Sequence, residues 1–165
     1  MARTPAAYAG PVPQELDATD RSIVSHLSQD GRMSYTELAQ RVHLSTSAAH
    51  QRVRRLEDNG VIRRYGAVVD PEAAGLPITA LLSLTPFDPG APDDVPERLH
   101  HLTEIEACWS VAGSASYVLL VRVSRPSVLE ELIAEIRSTA RCSTTTTMVL
   151  TTPWENRTAF AHLGE

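Results

Sequence analysis

The segment Ser45-Thr46-Ser47-Ala48-Ala49-His50-Gln51-Arg52-Val53-Arg54-Arg55-Leu56 gathers side chains suited to hydrogen bonding with nucleic acid. Ala49, Val53 and Leu56 are spaced four and three residues apart, the repeat of an apolar stripe on a helix. At about 100° per residue, Ser47, Ala48, Gln51, Arg54 and Arg55 fall on the opposite face, flanked by His50 and Arg52. A glutamine can pair with adenine through two hydrogen bonds, and an arginine with guanine. Ser47, Gln51 and His50 are therefore candidates for base edges and Arg52 for a guanine, with Ser45, Thr46 and Ala48 at the helix end that would enter a groove. Arg54, Arg55, Arg63 and Arg64 suit phosphate, where they add affinity and salt dependence but little sequence information.

Presenting such a helix takes a scaffold, and the preceding residues predict one. Leu16, Ile23, Val24 and Leu27 stand at helical spacing, with Asp17 or Thr19 to cap the start and Asp30-Gly31 to end it. Ser34 and Glu37 match a capping box. The helix that follows, Tyr35 to about Arg41, turns Leu38 and Val42 inward and packs Ala39 closely. His43-Leu44 makes a tight connection; Ser45 caps a longer helix reaching Asn59, and Gly60 supplies a left-handed stop. Three helices with a short turn between the last two form a helix-turn-helix. A solvated basic helix that only docks to protein is the plainer reading; the caps, the arginine cluster and the next segment favour DNA. That segment, Val61 to Val69, is rich in β-branched residues and predicts a strand or short wing.

After the boundary at Pro71 to Pro77 the pattern alternates. Strands are expected at 78–84, 105–112, 117–123 and 142–152, and helices at 93–102 and from a Ser127 cap to Thr139, with Leu129, Leu132, Ile133 and Ile136 inward. The order βαββαβ is the split ferredoxin-like plan, an antiparallel sheet with both helices on one face. The fold class is thus α+β: a winged helix-turn-helix domain followed by a ferredoxin-like one. Expected boundaries are a disordered tail over 1–14, a DNA-binding domain over 15–62, a strand or linker over 63–76, a ferredoxin-like domain over 77–154 for effector binding and oligomerisation, and a tail over 155–165.

A net charge of −5 looks wrong for a DNA binder, but its distribution answers the objection. Residues 16–70 hold eight arginines against seven acids, +1; residues 71–165 hold six against twelve, −6. All fifteen basic residues are arginine. Nucleic-acid work therefore belongs to the first part. No apolar run is long enough to span a bilayer, and the first residues lack the apolar core of a secretory signal, so no membrane partner is expected. Cys108 and Cys142 read as buried free thiols in a reducing cytoplasm.

An enzyme is the main rival reading. Its titratable cluster, His100-His101 with Glu104 and Glu106, fans around a helix end, whereas a metal site needs three or four converging ligands. Gly-rich phosphate loops and supported nucleophile sets are absent, so neither a cofactor nor a metal is expected. A sensing module whose DNA unit has decayed is the second rival, and the intact Arg52-Val-Arg-Arg pattern argues against it.

The carriers Leu16-Asp17, Asp20-Arg21, Ile23, Asp30-Gly-Arg-Met-Ser34, Glu37-Leu-Ala-Gln-Arg-Val42, Arg52-Val-Arg-Arg-Leu-Glu57, Asn59-Gly-Val-Ile-Arg63, Tyr65-Gly-Ala-Val-Val-Asp-Pro71 and Val111-Ala-Gly113 resemble, in order and spacing, the Lrp/AsnC (feast/famine) family of transcription regulators. The likeness runs from Leu16 to about Phe160. It implies a cytoplasmic homodimer on double-stranded, palindromic DNA, assembling further, often to octamers, and a small effector, typically an amino acid, bound between dimers. Carried onto this chain, the effector residues would be Ser110, Ala112, Gly113, Ser114, Ala115, Ser116 and Tyr117, with Thr145 and Thr147 on a neighbouring strand. The family commonly carries two carboxylates in a Gly-Asp-Tyr-Asp-Tyr-like turn, where this chain has Gly113-Ser-Ala-Ser-Tyr117. Serine offers an α-ammonium only neutral hydrogen bonds. Three explanations stand open: a degenerate pocket, a wider one for a larger or less cationic ligand, or polarity borrowed from Thr145 and Thr147. Ala48-Ala49-His50 and Gln51 also depart from the family, which suggests a distinct operator.

Overall fold

A computed structural model describes residues 15–88, 90 and 92–156; the expected tails at 1–14 and 157–165 lie outside them. The described chain divides into two compact units, one holding 15–67 together with 154–156 and the other Val68–Pro153.

The first unit contains α1 (Ala18–Gln29), α2 (Tyr35–Arg41) and α3 (Thr46–Asp58). Each start is capped by a side chain that accepts from a backbone N–H left over in the first turn: Asp17 from Asp20, Ser34 from Glu37 and Ser45 from Ala48. The box at Ser34 is only half made, because the Glu37 carboxylate turns to Arg41 at 2.8 Å. The α2–α3 turn takes His43 through φ 54°, a region that histidine tolerates better than most residues, and the Leu44 N–H reaches back to the Ala39 carbonyl at 2.9 Å. Gly60, at φ 69°, ends α3 as expected. Ile23, Leu38, Val53 and Leu56 form the core, with Leu16, Val24, Leu27, Met33, Val42 and Ile62 packed around it.

The second unit contains β1 (Ile78–Pro86), α4 (Val95–Leu99), β2 (Ile105–Ser110), β3 (Tyr117–Val123), α5 (Pro126–Ala140) and β4 (Cys142–Met148). The sheet is antiparallel throughout, in the order β2-β3-β1-β4. In register, Leu82 lies between Leu119 and Thr146, and Leu84 between Tyr117 and Thr144. Alternation therefore sends Ala80, Leu82, Leu84, Tyr117, Leu119, Val121 and Val123 to one face, where Val95, Leu99, Leu129, Leu132 and Ile136 cover them. The other face carries Leu81, Ser83, Val118, Leu120, Thr145 and Thr147, of which none is fully buried. No described helix is long and apolar enough to cross a membrane.

Several expectations are corrected. Residues 61–69 form no strand: they run without a ladder partner, with Val68 at 77% and Val69 at 63% exposure. β-branched residues favour a pleated strand but cannot make one without a second strand to pair with. Cys108 is exposed, because β2 is an edge strand, whereas Cys142 is buried. α5 begins two residues earlier than a Ser127 cap allows, since Pro126 presets the first turn, and the Ser127 hydroxyl accepts from Arg125 Nε at 2.9 Å. α4 is shorter than 93–102, β1 extends two residues further to Pro86, β2 stops at Ser110 and β4 at Met148.

Candidate nucleic-acid interface and effector surface

The core stripe of α3 is as its spacing predicts: Ala49 and Val53 are wholly buried and Leu56 is 2% exposed. What the other helices do to its two flanks decides which residues remain outward.

On the α1 flank stands a buried acid. Asp20 lies on the inward stripe of α1, four residues after Leu16 and three before Ile23, and its side chain is 5% exposed. A carboxylate there needs cations, and α3 supplies two. Arg52 Nη1 donates to Asp20 Oδ1 at 2.9 Å and to the Asp17 carboxylate at 2.6 Å, and Arg55 Nη2 donates to Asp20 Oδ2 at 2.6 Å. The Arg52 hydrogen bond, then the Asp20 backbone N–H, hold the Asp17 carboxyl below its ordinary range. The same two carboxylates hold the Arg52 guanidinium above its ordinary value. Arg52, expected at a guanine, and Arg55, expected at phosphate, are thus both engaged within the unit. The sequence signal for this was an acid placed on an apolar stripe.

The α2 flank is closed by an aromatic pair. The Tyr35 and His50 rings meet edge to face, 4.7 Å between centroids. Lower on the same side, the Tyr65 hydroxyl donates to Glu57 at 2.9 Å, and the Tyr65 ring stands where a Cβ on Gly31 would come within 3.3 Å. Burial, then the hydrogen bond to Glu57, push the Tyr65 phenol above its ordinary value. Sequence reading missed this brace between 61–69 and α3.

With both flanks occupied, the outward stripe is Ser47, Gln51 and Arg54, all exposed. Arg54 is 75% exposed and only loosely faces Asp58, at 3.9 Å. At the N-terminus of α3, Ser45 Oγ both caps the Ala48 N–H and lies 3.1 Å from Ser47 Oγ, while Thr46 is exposed and Ala48 half-buried. Arg63 and Arg64 are exposed beyond the helix.

The predicted effector residues do not converge within one chain. Tyr117 lies under the helices at 2% exposure, with no hydrogen-bond partner for its hydroxyl among the described residues. Ser110 pairs with it in register. Thr145 and Thr147 pair with Ser83 and Leu81 on the opposite face, so the sheet separates them from Tyr117. The turn itself is well anchored: the Ser116 N–H donates to Leu84 O and the Val111 N–H to Ser116 O, both at 2.9 Å, and Thr85 Oγ1 donates to Ser114 O at 3.3 Å. Gly113 takes φ 155°, at the edge of the region that favours glycine, and the tip at Ala112, Gly113 and Ser114 is exposed, with Ala115 half-buried. A cavity of about 300 Å³ opens elsewhere, between Pro86, Phe87, Val95, Arg98, Ala140 and Arg141, and none of the predicted effector residues lines it. His101 of the sequence cluster faces Glu135 of α5 at 3.6 Å.

The winged helix-turn-helix DNA-binding family matches residues 16–63, and the Lrp/AsnC ligand binding domain matches 79–159. The chain is 49% identical over 144 residues to the HTH-type transcriptional regulator LrpA of Mycobacterium tuberculosis, covering 87% of this chain and 96% of that protein. It is 36% identical over 125 residues to the leucine-responsive regulatory protein of Escherichia coli, covering 74% and 76%. A crystal structure of the M. tuberculosis feast or famine regulatory protein complexed with L-methionine superposes with a TM-score of 0.86 at 48% identity, covering 88% of this chain and 99% of that one. With two adjoining domains matched and relatives aligned over most of their length, this chain belongs to the Lrp/AsnC family of DNA-binding transcription regulators that carry a ligand-binding domain.

Proposed function

We propose that the regulator reads its operator through Ser47 and Gln51 at the front of α3, with Arg54, Arg63 and Arg64 on flanking phosphates. The observation that supports this is the exposed Ser47–Gln51–Arg54 stripe, left outermost when both flanks of α3 are taken up by α1 and α2. A helix laid in the major groove brings its N-terminal residues to base edges and leaves later ones near the backbone. Arg52 and Arg55 are assigned to holding the helix rather than to the DNA, and His50 to the rim of the groove.

The open sheet face, with Leu81, Val118 and Leu120 only half-buried, suits pairing with a second copy, which would present two α3 helices to half-sites about one helical turn apart. Such a dimer fits a palindromic operator and a cytoplasmic setting, and higher assembly would add copies. The effector is a small molecule, an amino acid or a related metabolite, held at the Gly113–Ser116 tip and at Thr145 and Thr147 across a contact between chains. Neutral hydroxyls at the tip favour a ligand that does not depend on a carboxylate partner for its ammonium.

The test is binding of the full chain to the DNA upstream of its own gene, with a panel of amino acids that includes L-methionine. Tight binding that Arg54→Ala weakens on every sequence, and that one amino acid shifts at least fivefold, is expected. A chain that sediments as a monomer while still binding a palindrome tightly would overturn the dimeric reading.

A further inference from the structure

We infer that Asp17 and Asp20 restrain Arg52 and Arg55 from the phosphate backbone, and so act as residues that suppress indiscriminate DNA binding. The inference rests on the reading of α3 as the helix that meets DNA.

Two of the three arginines in Arg52-Val-Arg-Arg are tied to α1. Arg52 spans both aspartates and Arg55 closes on the second oxygen of Asp20, each oxygen of that carboxylate receiving one guanidinium. Their side chains are not hidden: Arg52 is 30% and Arg55 47% exposed. Both therefore stand beside the outward stripe, near enough to solvent to meet an approaching polyanion. What keeps them in place is the carboxylate of Asp20, which is 5% exposed and cannot exchange them for water without remaining bare. Phosphate accepts the same kind of charge-assisted N–H···O hydrogen bond, so the contest is between an internal acid already in position and one that must come from outside. Arg54, whose one acidic partner among the described residues lies 3.9 Å away on the surface, is under no such restraint.

The consequence concerns discrimination. Phosphate contacts form on any sequence, so a freed arginine strengthens binding to random DNA as much as to the operator. With +1 over residues 16–70, the unit is close to neutral, and two arginines released by removal of their acids would change its behaviour markedly. The aspartates also fix α3 against α1, which keeps Gln51 and Ser47 in one orientation for reading.

The experiment measures binding of the full chain to two duplexes, a 30-base-pair random-sequence pool and the best duplex selected by the wild type from such a pool, at 50 and 200 mM salt. Each guanidinium added to or lost from the phosphate contacts changes the ratio of dissociation constants at the two salts by about 3.5-fold. Asp20→Asn, which keeps shape, is expected to raise that ratio on random DNA; Asp17→Asn, which lies on the surface and leaves Arg52 on Asp20, is expected to raise it less. Both should also narrow the gap between selected and random duplexes. Arg54→Gln should lower the ratio by about 3.5-fold, while Arg55→Gln leaves it unchanged. A fall with Arg55→Gln equal to that of Arg54→Gln, or no rise with either aspartate variant, overturns the inference. No fall with Arg54→Gln overturns the prior reading of α3 itself.

Discussion

Deleting the two guanidiniums that meet Asp20 should do far more damage than deleting either one. In Arg55→Ala the carboxylate loses the 2.6 Å bond at Oδ2 but keeps Arg52 on Oδ1. A hydrogen bond to a charged group contributes about 1.5–3 kcal/mol, and the lower end applies because Arg55 is half exposed and the gap it leaves admits water. In Arg52→Ala/Arg55→Ala the Asp20 carboxylate, 5% exposed when those side chains cover it, loses both cations, and with water entering the two gaps the cost is about 3 kcal/mol, the lower end for a broken buried pair. Adding Asp20→Asn to that pair removes the charge that had to be neutralised, and should restore about half of the loss. The assay is hydrogen exchange of α1 and α3 amides in the full chain, because two compact units need not unfold together. Relative to wild type, the double variant should speed exchange of the most protected of these amides by roughly a hundredfold, tenfold per 1.4 kcal/mol. An acceleration under about fivefold (1 kcal/mol), or a triple variant no better protected than the double, would refute the reasoning.

Three further outcomes follow from the same unit. Asp17 has its pKa held down in the folded chain by Arg52 and the Asp20 N–H, so its contribution is present above its ordinary value of 3.8 and lost as pH falls through the depressed one; Asp17→Asn should flatten the acid limb of urea midpoints measured below about pH 4 and leave the neutral limb nearly parallel. Ser45→Ala removes the cap of the Ala48 N–H and should cost about 1 kcal/mol by urea titration, with Ser45→Asp recovering most of it. Gly60→Ala meets no atom within 4 Å, yet φ 69° alone should cost about 1–2 kcal/mol, and Gly60→Asn less.

Local rules carried the first unit well. The stripe Ala49–Val53–Leu56, the caps at Ser34 and Ser45, and the stop at Gly60 depend on residues within four positions of one another, and each stands where spacing put it. The βαββαβ order was equally legible, since alternation over 117–123 and the helical repeat of Leu129, Leu132 and Ile136 are local as well. What escaped was set by partners distant in sequence. The ion pairs of Arg52 and Arg55 with Asp20 join residues 32 and 35 positions apart, beyond the reach of any local rule. Val61 to Val69 read as a strand or short wing, although among the described residues it has no ladder partner. The effector set was drawn from the 112–116 turn, the strand ends on either side of it and a neighbouring strand, and register alone revealed that Tyr117 and Thr145 lie on opposite faces of the sheet.

The most direct test of the central claim is selection of duplexes from a random pool by the wild type and by Gln51→Ala. If α3 reads the operator through its outward stripe, the variant should lose preference at one base position in each half-site, by about fivefold to 150-fold, and keep the others. Identical base preferences for the wild type, Gln51→Ala and Ser47→Ala would contradict it.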